Sequence, residues 1–257
     1  MPTAIPALIP EQSAAHGGES AALSRASWSA RRRLTVFVVL GIAAYALAMV
    51  ATMPASVVVK NRPWRTGVAG TVWNGEVGVA GGSKFEWHWA PLRSLTSLAF
   101  AADWTATGPD TDMGGRALAG FSSTVLDKVS GSSHANLLQA LQPNLPFTCD
   151  LAMQLEFDRI AVGGSSQSID GRLTTEAGTC TPKGGGASVP VPPLLLVSEK
   201  IGTTTQIRLT PRTQRRQLLM TATLSEDGQL TIRMTPEGAR ILPFAGLPAG
   251  ASIAGEL

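Results

Sequence analysis

The sequence predicts a mainly β protein with a single N-terminal transmembrane helix, a curved antiparallel β-sheet domain and one or two short helices. Three observations lead to this fold class. One apolar run without charge lies near the N-terminus, and the later sequence alternates apolar and polar residues with a period of two. In addition, 27 glycines accompany a charged fraction of only 15%. Period two is the repeat of a half-buried strand, so we expect a sheet with one dry and one wet face.

The transmembrane helix is predicted over 34–53, where no residue is charged. A helix of this length rises roughly 30 Å, the thickness of the hydrocarbon core of a bilayer. Pro54 follows and is expected to end the helix. A cleaved signal peptide is the alternative, because Ala46-Leu47-Ala48 would suit signal peptidase.

Three arginines at 31–33 directly precede the apolar run. Positive residues stay on the cytoplasmic side of a membrane, so the chain is predicted to cross the membrane once with its N-terminus in the cytoplasm. Residues 1–33 are then a cytoplasmic leader, which we expect to be disordered because it is rich in alanine, serine and proline. Residues 54–257 are predicted to form the exported β-domain, with a soft internal boundary at the glycine- and proline-rich stretch 183–193.

The charge balance argues against a nucleic-acid partner. Beyond the apolar run the chain has 17 basic and 16 acidic residues. Its one later basic cluster, Arg212, Arg215 and Arg216, is interpreted as a solvated strand end in preference to an anion site. Groups that enzymes and metal sites use are also scarce. There are three histidines, and the sequence has no His-x-x-His, Cys-x-x-Cys, Gly-x-Ser-x-Gly or phosphate-loop pattern. We therefore predict no catalytic residue, metal, cofactor or small-molecule substrate, and favour a binding or structural role.

Strands and hairpins follow the apolar run in order. Asn74-Gly75 lies between β-forming segments and predicts a hairpin turn there. Ser133 is predicted to cap a short helix over 134–141, and Thr235 is predicted to cap another that begins at Pro236. Five further stretches alternate or resemble a hairpin and are predicted to be β-structure: 84–89, 98–104, 149–160, 168–177 and 218–234.

The chain has two cysteines, Cys149 and Cys180. An even number in an exported domain favours one disulfide. This bridge would close a loop of about 30 residues and stabilise the fold by roughly 3–4 kcal/mol in the chain-entropy model. Two buried free thiols are the alternative.

Two neighbouring motifs resemble those of a known family. The first is Gly-Thr-Val-Trp-Asn-Gly at 70–75, and the second begins at Trp87 and ends in Pro91-Leu92. Together with the order of leader, membrane helix and periplasmic β-domain, they resemble protein N of the bacterial type II (general) secretion pathway. Because Gly70 permits a close backbone approach, we interpret the motif as structural. Its residues are Gly70, Thr71, Trp73, Asn74, Gly75, Trp87, Pro91 and Leu92.

The resemblance implies an accessory inner-membrane subunit that supports assembly of the envelope-spanning complex and export of folded proteins. The implied partners are the inner-membrane platform, the pseudopilus or the secretin, together with inner-membrane lipid, and no catalysis or cofactor is implied. A second hypothesis is a periplasmic lipid-handling protein similar to the AsmA-like proteins, with acyl chains in an apolar groove. A third is an exported enzyme, which a cleft joining His88 to a buried carboxylate would favour.

Overall fold

The computed structural model describes residues 19–59 and 64–256, which belong to two compact units. The first unit ends at Met53 and contains helix α1 (Glu19–Ala51). Residues 32–51 of α1 have a mean hydropathy of 2.4. Among the described residues, α1 is the one helix that is long and apolar enough to cross a membrane.

Helix α1 differs from the predicted helix at both ends. It ends at Ala51 because the residue before a proline, here Pro54, is pushed out of helical conformation. It begins at Glu19, so the second half of the predicted leader is helical and not disordered. That stretch is rich in alanine and arginine, which extend an existing helix at little cost. The expectation for 1–18 lies outside the described residues.

The second unit begins at Pro54 and contains 16 strands in the described part of the chain. The strands are β1 (Arg65–Gly70), β2 (Asn74–Val79), β3 (Ser83–Trp89), β4 (Phe100–Gly108), β5 (Thr111–Ala119), β6 (Ser123–His134), β7 (Phe147–Asp150), β8 (Ala152–Gly163), β9 (Ser168–Thr175), β10 (Gly178–Pro182), β11 (Val189–Val191), β12 (Leu194–Ile201), β13 (Thr204–Pro211), β14 (Met220–Ser225), β15 (Gln229–Met234) and β16 (Ser252–Glu256). The short helices are α2 (Pro91–Ser97), α3 (Ala135–Leu141) and α4 (Pro236–Ile241).

Thirteen strands form one curved antiparallel sheet that does not close, which confirms the predicted fold class. The large sheet follows chain order from β1 to β16, except that β7, β10 and β11 are set aside in a small sheet. In the small sheet Cys149 and Cys180 are direct cross-strand partners and form the predicted disulfide, with 4.1 Å between their Cα atoms.

The first hairpin is present, but its turn was predicted at the wrong place. Gly70 pairs with Gly75, and the Thr71 N–H donates to the Asn74 carbonyl at 2.8 Å. Asn74 and Gly75 therefore begin β2, and the connecting loop lies before them. The positive φ is taken by Gly70, at 84°. The wider loop forms because the indole of Trp73 packs against two aromatic side chains of neighbouring strands.

Two predicted strands begin later in the chain than their alternation indicated. The stretch 149–160 divides at Leu151, so that β7 enters the small sheet and β8 the large one. Leu151 is 8% exposed and lies in the core between the sheets, where the alternation continues without a break. Leu98 does not belong to β4, because it ends α2 with a φ of 48°. Its side chain is 86% exposed.

One of the two predicted helix caps is present in the structure, and the other is not. Thr235 caps α4 as predicted, and its Oγ1 accepts from the Gly238 N–H at 3.0 Å. Helix α3 is capped by His134, whose Nδ1 accepts from the Asn136 N–H at 3.3 Å. Ser133 cannot serve as the cap because its side chain faces the interior and is 3% exposed.

Loops of an antiparallel sheet alternate between its two ends. One end carries α3, the small sheet with the disulfide, and α4, and we call it the disulfide end. The opposite end carries the loop 71–73, helix α2 and the loop 120–122, and we call it the Pro54 end. There Pro54 forms an isolated antiparallel bridge with Thr71, so the start of the domain is held against the first hairpin.

Candidate functional site

Six of the eight motif residues meet at the Pro54 end, where they join the first hairpin to β3. The Trp87 indole N–H donates to the Val72 carbonyl at 2.9 Å. A Cβ on Gly75 would lie 2.4 Å from the Trp87 ring, and one on Gly70 would lie 2.5 Å from the Asn74 carbonyl oxygen. Glycine at position 75 therefore leaves room for the Trp87 ring, and glycine at position 70 permits the close approach of the two hairpin backbones.

The rest of the motif closes the same loop through hydrogen bonds and ring contacts. The Asn74 N–H donates to Thr71 Oγ1 at 3.2 Å. The Trp89 N–H donates to the Trp73 carbonyl at 2.8 Å, and the centroids of the two indole rings are 4.7 Å apart. Trp73 is half-buried. The last two motif residues are placed apart from this cluster, since Pro91 opens α2 and Leu92 is 79% exposed.

An apolar groove with a cavity volume of about 830 Å³ lies on the dry face of β2 to β5. Among the described residues that line it, only Ser83 and Lys84 are polar. Its floor is built by alternate residues of neighbouring strands, and Leu137 of α3 also lines it. The volume falls within the range of about 300–1,000 Å³ that is common for small-molecule sites. The main lining residues are Val77, Phe85, Trp87, Trp104, Met113 and Ala117.

The wet face of β6, β8, β9 and β12 carries paired charges around an open cleft of about 910 Å³. Lys128 Nζ lies 2.6 Å from Asp158 Oδ1. This hydrogen bond lowers the pKa of Asp158 and raises the pKa of Lys128, so both are charged at neutral pH. Arg172 pairs with Glu156 in the same way on adjacent strands. Exposed pairs of this kind contribute little to stability and mainly set the charge pattern of the surface.

The two histidines in the described residues have structural surroundings. His88 is exposed on β3 opposite Asp103, which is itself exposed and bound to Arg93 at 2.6 Å. His134 Nε2 lies 3.0 Å from Asp150 Oδ1 while its Nδ1 caps α3. Neither arrangement joins a histidine to a buried carboxylate. Within 19–59 and 64–256, no group of three or more His, Cys, Asp or Glu could hold a metal ion.

Comparison with known proteins gives one match. The family model described as "Type II secretion system (T2SS), protein N" matches residues 61–248. The matched region runs from before β1 to beyond β15, so the similarity extends far past the motif at 70–92. Searches of curated proteins and of solved structures returned no match.

Proposed function

The chain belongs to the type II secretion system protein N family, and from this premise we propose that it is an accessory inner-membrane subunit of that system. In this role it supports assembly of the envelope-spanning complex and export of folded proteins. The observation that carries the proposal is the family match over 61–248, which contains nearly all of the sheet domain. Members of this family are components of the secretion machinery, so we expect this protein to act through contacts with other components.

We further propose that α1 anchors the chain with its N-terminus in the cytoplasm. The uncharged stretch 34–51 supports this anchor, and the arginines at 31–33 give it a direction. The β-domain then projects into the periplasm, where the secretion apparatus bridges the two membranes. A disulfide between Cys149 and Cys180 is consistent with that oxidising compartment.

The wet face is the surface we propose for contact with other subunits. Its cross-strand charge pairs form a pattern of alternating sign, which gives a partner of complementary pattern both orientation and specificity. The pair Arg172 and Glu156 offers a sharp test because it can be reversed. Exchanging the two side chains keeps the ion pair, so the domain should fold, but it reverses the charge pattern that a partner meets.

The experiment is performed in a strain that lacks the gene, with assembly of the secretin-containing complex measured by native gel electrophoresis. Wild-type protein should restore assembly, and the double exchange Glu156→Arg with Arg172→Glu should fold with an unchanged melting temperature yet restore less. A matched double exchange at Lys84 and Glu86, which pair on β3 at 2.8 Å, is the control and should restore assembly fully. Unchanged assembly in the deletion strain itself would refute the accessory role.

A second candidate function, periplasmic lipid handling, is favoured by the apolar groove. Ala117 lines the groove, and Ala117→Phe would fill part of it. If the groove carries acyl chains, this variant should change the lipid composition of the outer membrane while type II export continues. If deletion alters outer-membrane lipid and leaves secretion and assembly unchanged, lipid handling replaces the secretion role.

A further inference from the structure

Helix α2 is held to the sheet by its polar residues. Ser94 Oγ accepts from the Trp89 indole N–H at 2.8 Å and from the Ala101 N–H at 2.9 Å. Next to it, Arg93 forms an ion pair with Asp103 of β4 at 2.6 Å. These contacts fix the orientation of the helix, because together they attach one side of α2 to β3 and β4.

The opposite side of α2 presents leucines to solvent. Leu92, Leu95 and Leu98 are 79%, 73% and 86% exposed, and no residue of the helix is buried. Residues three apart on a helix form one stripe. A surface helix normally turns its apolar stripe to the core, so α2 has the reverse arrangement. Nothing in the described part of the chain covers this stripe.

A phenylalanine in the loop after β5, at the same end of the sheet, is exposed as well. Phe100 is paired with Ala119 in the sheet register. Leu98 lies two residues before the first of these positions, and Phe121 lies two residues after the second. Phe121 is fully exposed. We call Leu92, Leu95, Leu98 and Phe121 the apolar patch, since they are exposed at the same end of the sheet and exposed apolar surface marks interaction sites.

Leu98 shows that the patch is maintained against local conformational preference. Its φ of 48° is in the left-handed region, where helix ends favour glycine or asparagine. Its side chain is exposed, so packing within the described residues does not compensate for the strained backbone. Positions where a sequence breaks a local rule without a packing gain are those where a function is expected.

A short stretch of chain connects the Pro54 end to α1, which is proposed to cross the membrane. The apolar stretch of α1 ends at Ala51, and Pro54 is already bridged to Thr71 in the domain. Three residues span at most about 11 Å. The bridged hairpin contacts β3 through Trp73 and Trp89, and α2 begins two residues after Trp89.

We propose that the apolar patch inserts into the periplasmic leaflet of the bilayer that α1 crosses, and so fixes the Pro54 end of the domain against the membrane. The inference rests on the proposed anchoring by α1. A lipid surface is chosen over a protein partner because Pro54 follows the end of the apolar stretch of α1 by only three residues and lies at the same end of the sheet as the patch. In every copy of an anchored protein, this end of the domain is therefore tethered to a bilayer.

The test uses full-length protein in nanodiscs of phosphatidylethanolamine and phosphatidylglycerol that contain a spin-labelled phospholipid as quencher. An environment-sensitive fluorophore is attached to Leu95→Cys or, as the control, to Thr213→Cys, which is exposed in the loop after β13 at the disulfide end. We expect several-fold stronger quenching of the fluorophore at position 95. In a second variant, Leu92→Gln, Leu95→Gln and Leu98→Gln are combined and Phe121→Cys carries the fluorophore. Quenching at position 121 should then fall, with no decrease in melting temperature.

The outcomes separate this inference from the anchoring on which it rests. Equal quenching at 95 and 213, in protein that resists carbonate extraction from membranes, would overturn the patch insertion and leave the anchor intact. Release of the protein by carbonate would overturn both. Shielding of position 95 from aqueous iodide only when other secretion subunits are added would make the patch a protein interface, and it would overturn the lipid assignment.

Discussion

The two ends of the sheet differ in how far their apolar side chains are exposed to solvent. At the disulfide end, Leu219 is 0% exposed and Phe244 is 8% exposed, in a core that the small sheet and α4 complete. At the Pro54 end, Leu95 and Leu98 are 73% and 86% exposed on a helix of similar length. The difference arises because α2 is attached by polar side chains. Apolar burial should therefore contribute more to stability at the disulfide end, and the proposed membrane contact should depend on the Pro54 end.

The largest expected difference is between two leucine truncations. Leu219→Ala should lower the free energy of unfolding by about 2–5 kcal/mol, because it leaves a cavity in a filled core. Leu95→Ala should change it by less than about 0.5 kcal/mol, because the side chain is exposed. Chemical denaturation of both variants measures the two values. Similar losses would mean that the two ends do not differ in their contribution to stability.

The disulfide is the next largest contribution. Replacing both Cys149 and Cys180 by alanine should cost about 2–4 kcal/mol, since the bridge restricts the unfolded chain across 31 residues of sequence separation. Reduction of the wild-type protein should lower its melting temperature to that of the double variant. The melting temperature of the double variant should not change on reduction. Equal melting temperatures for oxidised wild type and the variant would contradict this role.

A pair of glycines tests the structural interpretation of the motif at the Pro54 end. Gly75→Ala should destabilise the domain by about 1–3 kcal/mol, because its Cβ would meet the Trp87 ring, which is held by a hydrogen bond. Gly67→Ala, in the partner strand of the same hairpin, has no atom within 4 Å of the added Cβ and should be nearly neutral. Thermal unfolding of the two variants distinguishes steric exclusion at Gly75 from a general intolerance of the hairpin.

Replacing Leu98 by glycine should raise the stability of the domain and weaken its proposed membrane contact. Leu98→Gly should stabilise the domain by about 1 kcal/mol, because glycine adopts the left-handed conformation without the steric cost. Leu95→Gly, inside the same helix, should cost about 1 kcal/mol. If the leucine serves the membrane, Leu98→Gly should also reduce lipid quenching at the patch. A loss of stability in Leu98→Gly would show that this side chain makes a stabilising contact.

The smallest effect concerns the exposed pair on the wet face. The pKa of Asp158 is lowered below its usual 3.8, chiefly by the hydrogen bond from Lys128. A carboxyl with a lowered folded-state pKa stabilises the fold above its unfolded-state pKa, and this contribution is lost as the pH falls through the folded-state value. The melting temperature of the wild type should slightly exceed that of Asp158→Asn at neutral pH. The difference should disappear in acid, and its persistence there would exclude this ion pair as the cause.

Local sequence patterns predicted the parts of the fold that depend on local chemistry. The hairpin over 218–234, the Thr235 cap and the disulfide follow from turn residues, a hydroxyl at a helix start and the cysteine count. The division at Leu151 was not predictable, because both sheets require the same alternation. Likewise, Leu98 continues the period of β4 by sequence although its backbone belongs to α2.

The sequence predicted the chemical character of the candidate sites better than it predicted which residues form them. Alternation indicated a dry face, and the lipid hypothesis named an apolar groove, but which strands form the groove depends on register between distant segments. The motif residues were recognised in sequence, while the contact of Trp87 with Val72 is made across 15 residues. The exposed leucines of helix α2 could not be predicted, because sequence patterns are interpreted on the assumption that leucines are buried.

The central claim is that this chain serves type II secretion, and the most direct test is the amount of a type II substrate released into the medium by a strain that lacks the gene. Full-length protein supplied from a plasmid should restore release, whereas empty vector should leave the substrate in the periplasm. An outer-membrane protein that reaches its destination by another route should be unaffected in both strains. Normal substrate release without the gene, or an equal defect in both export routes, would contradict the account.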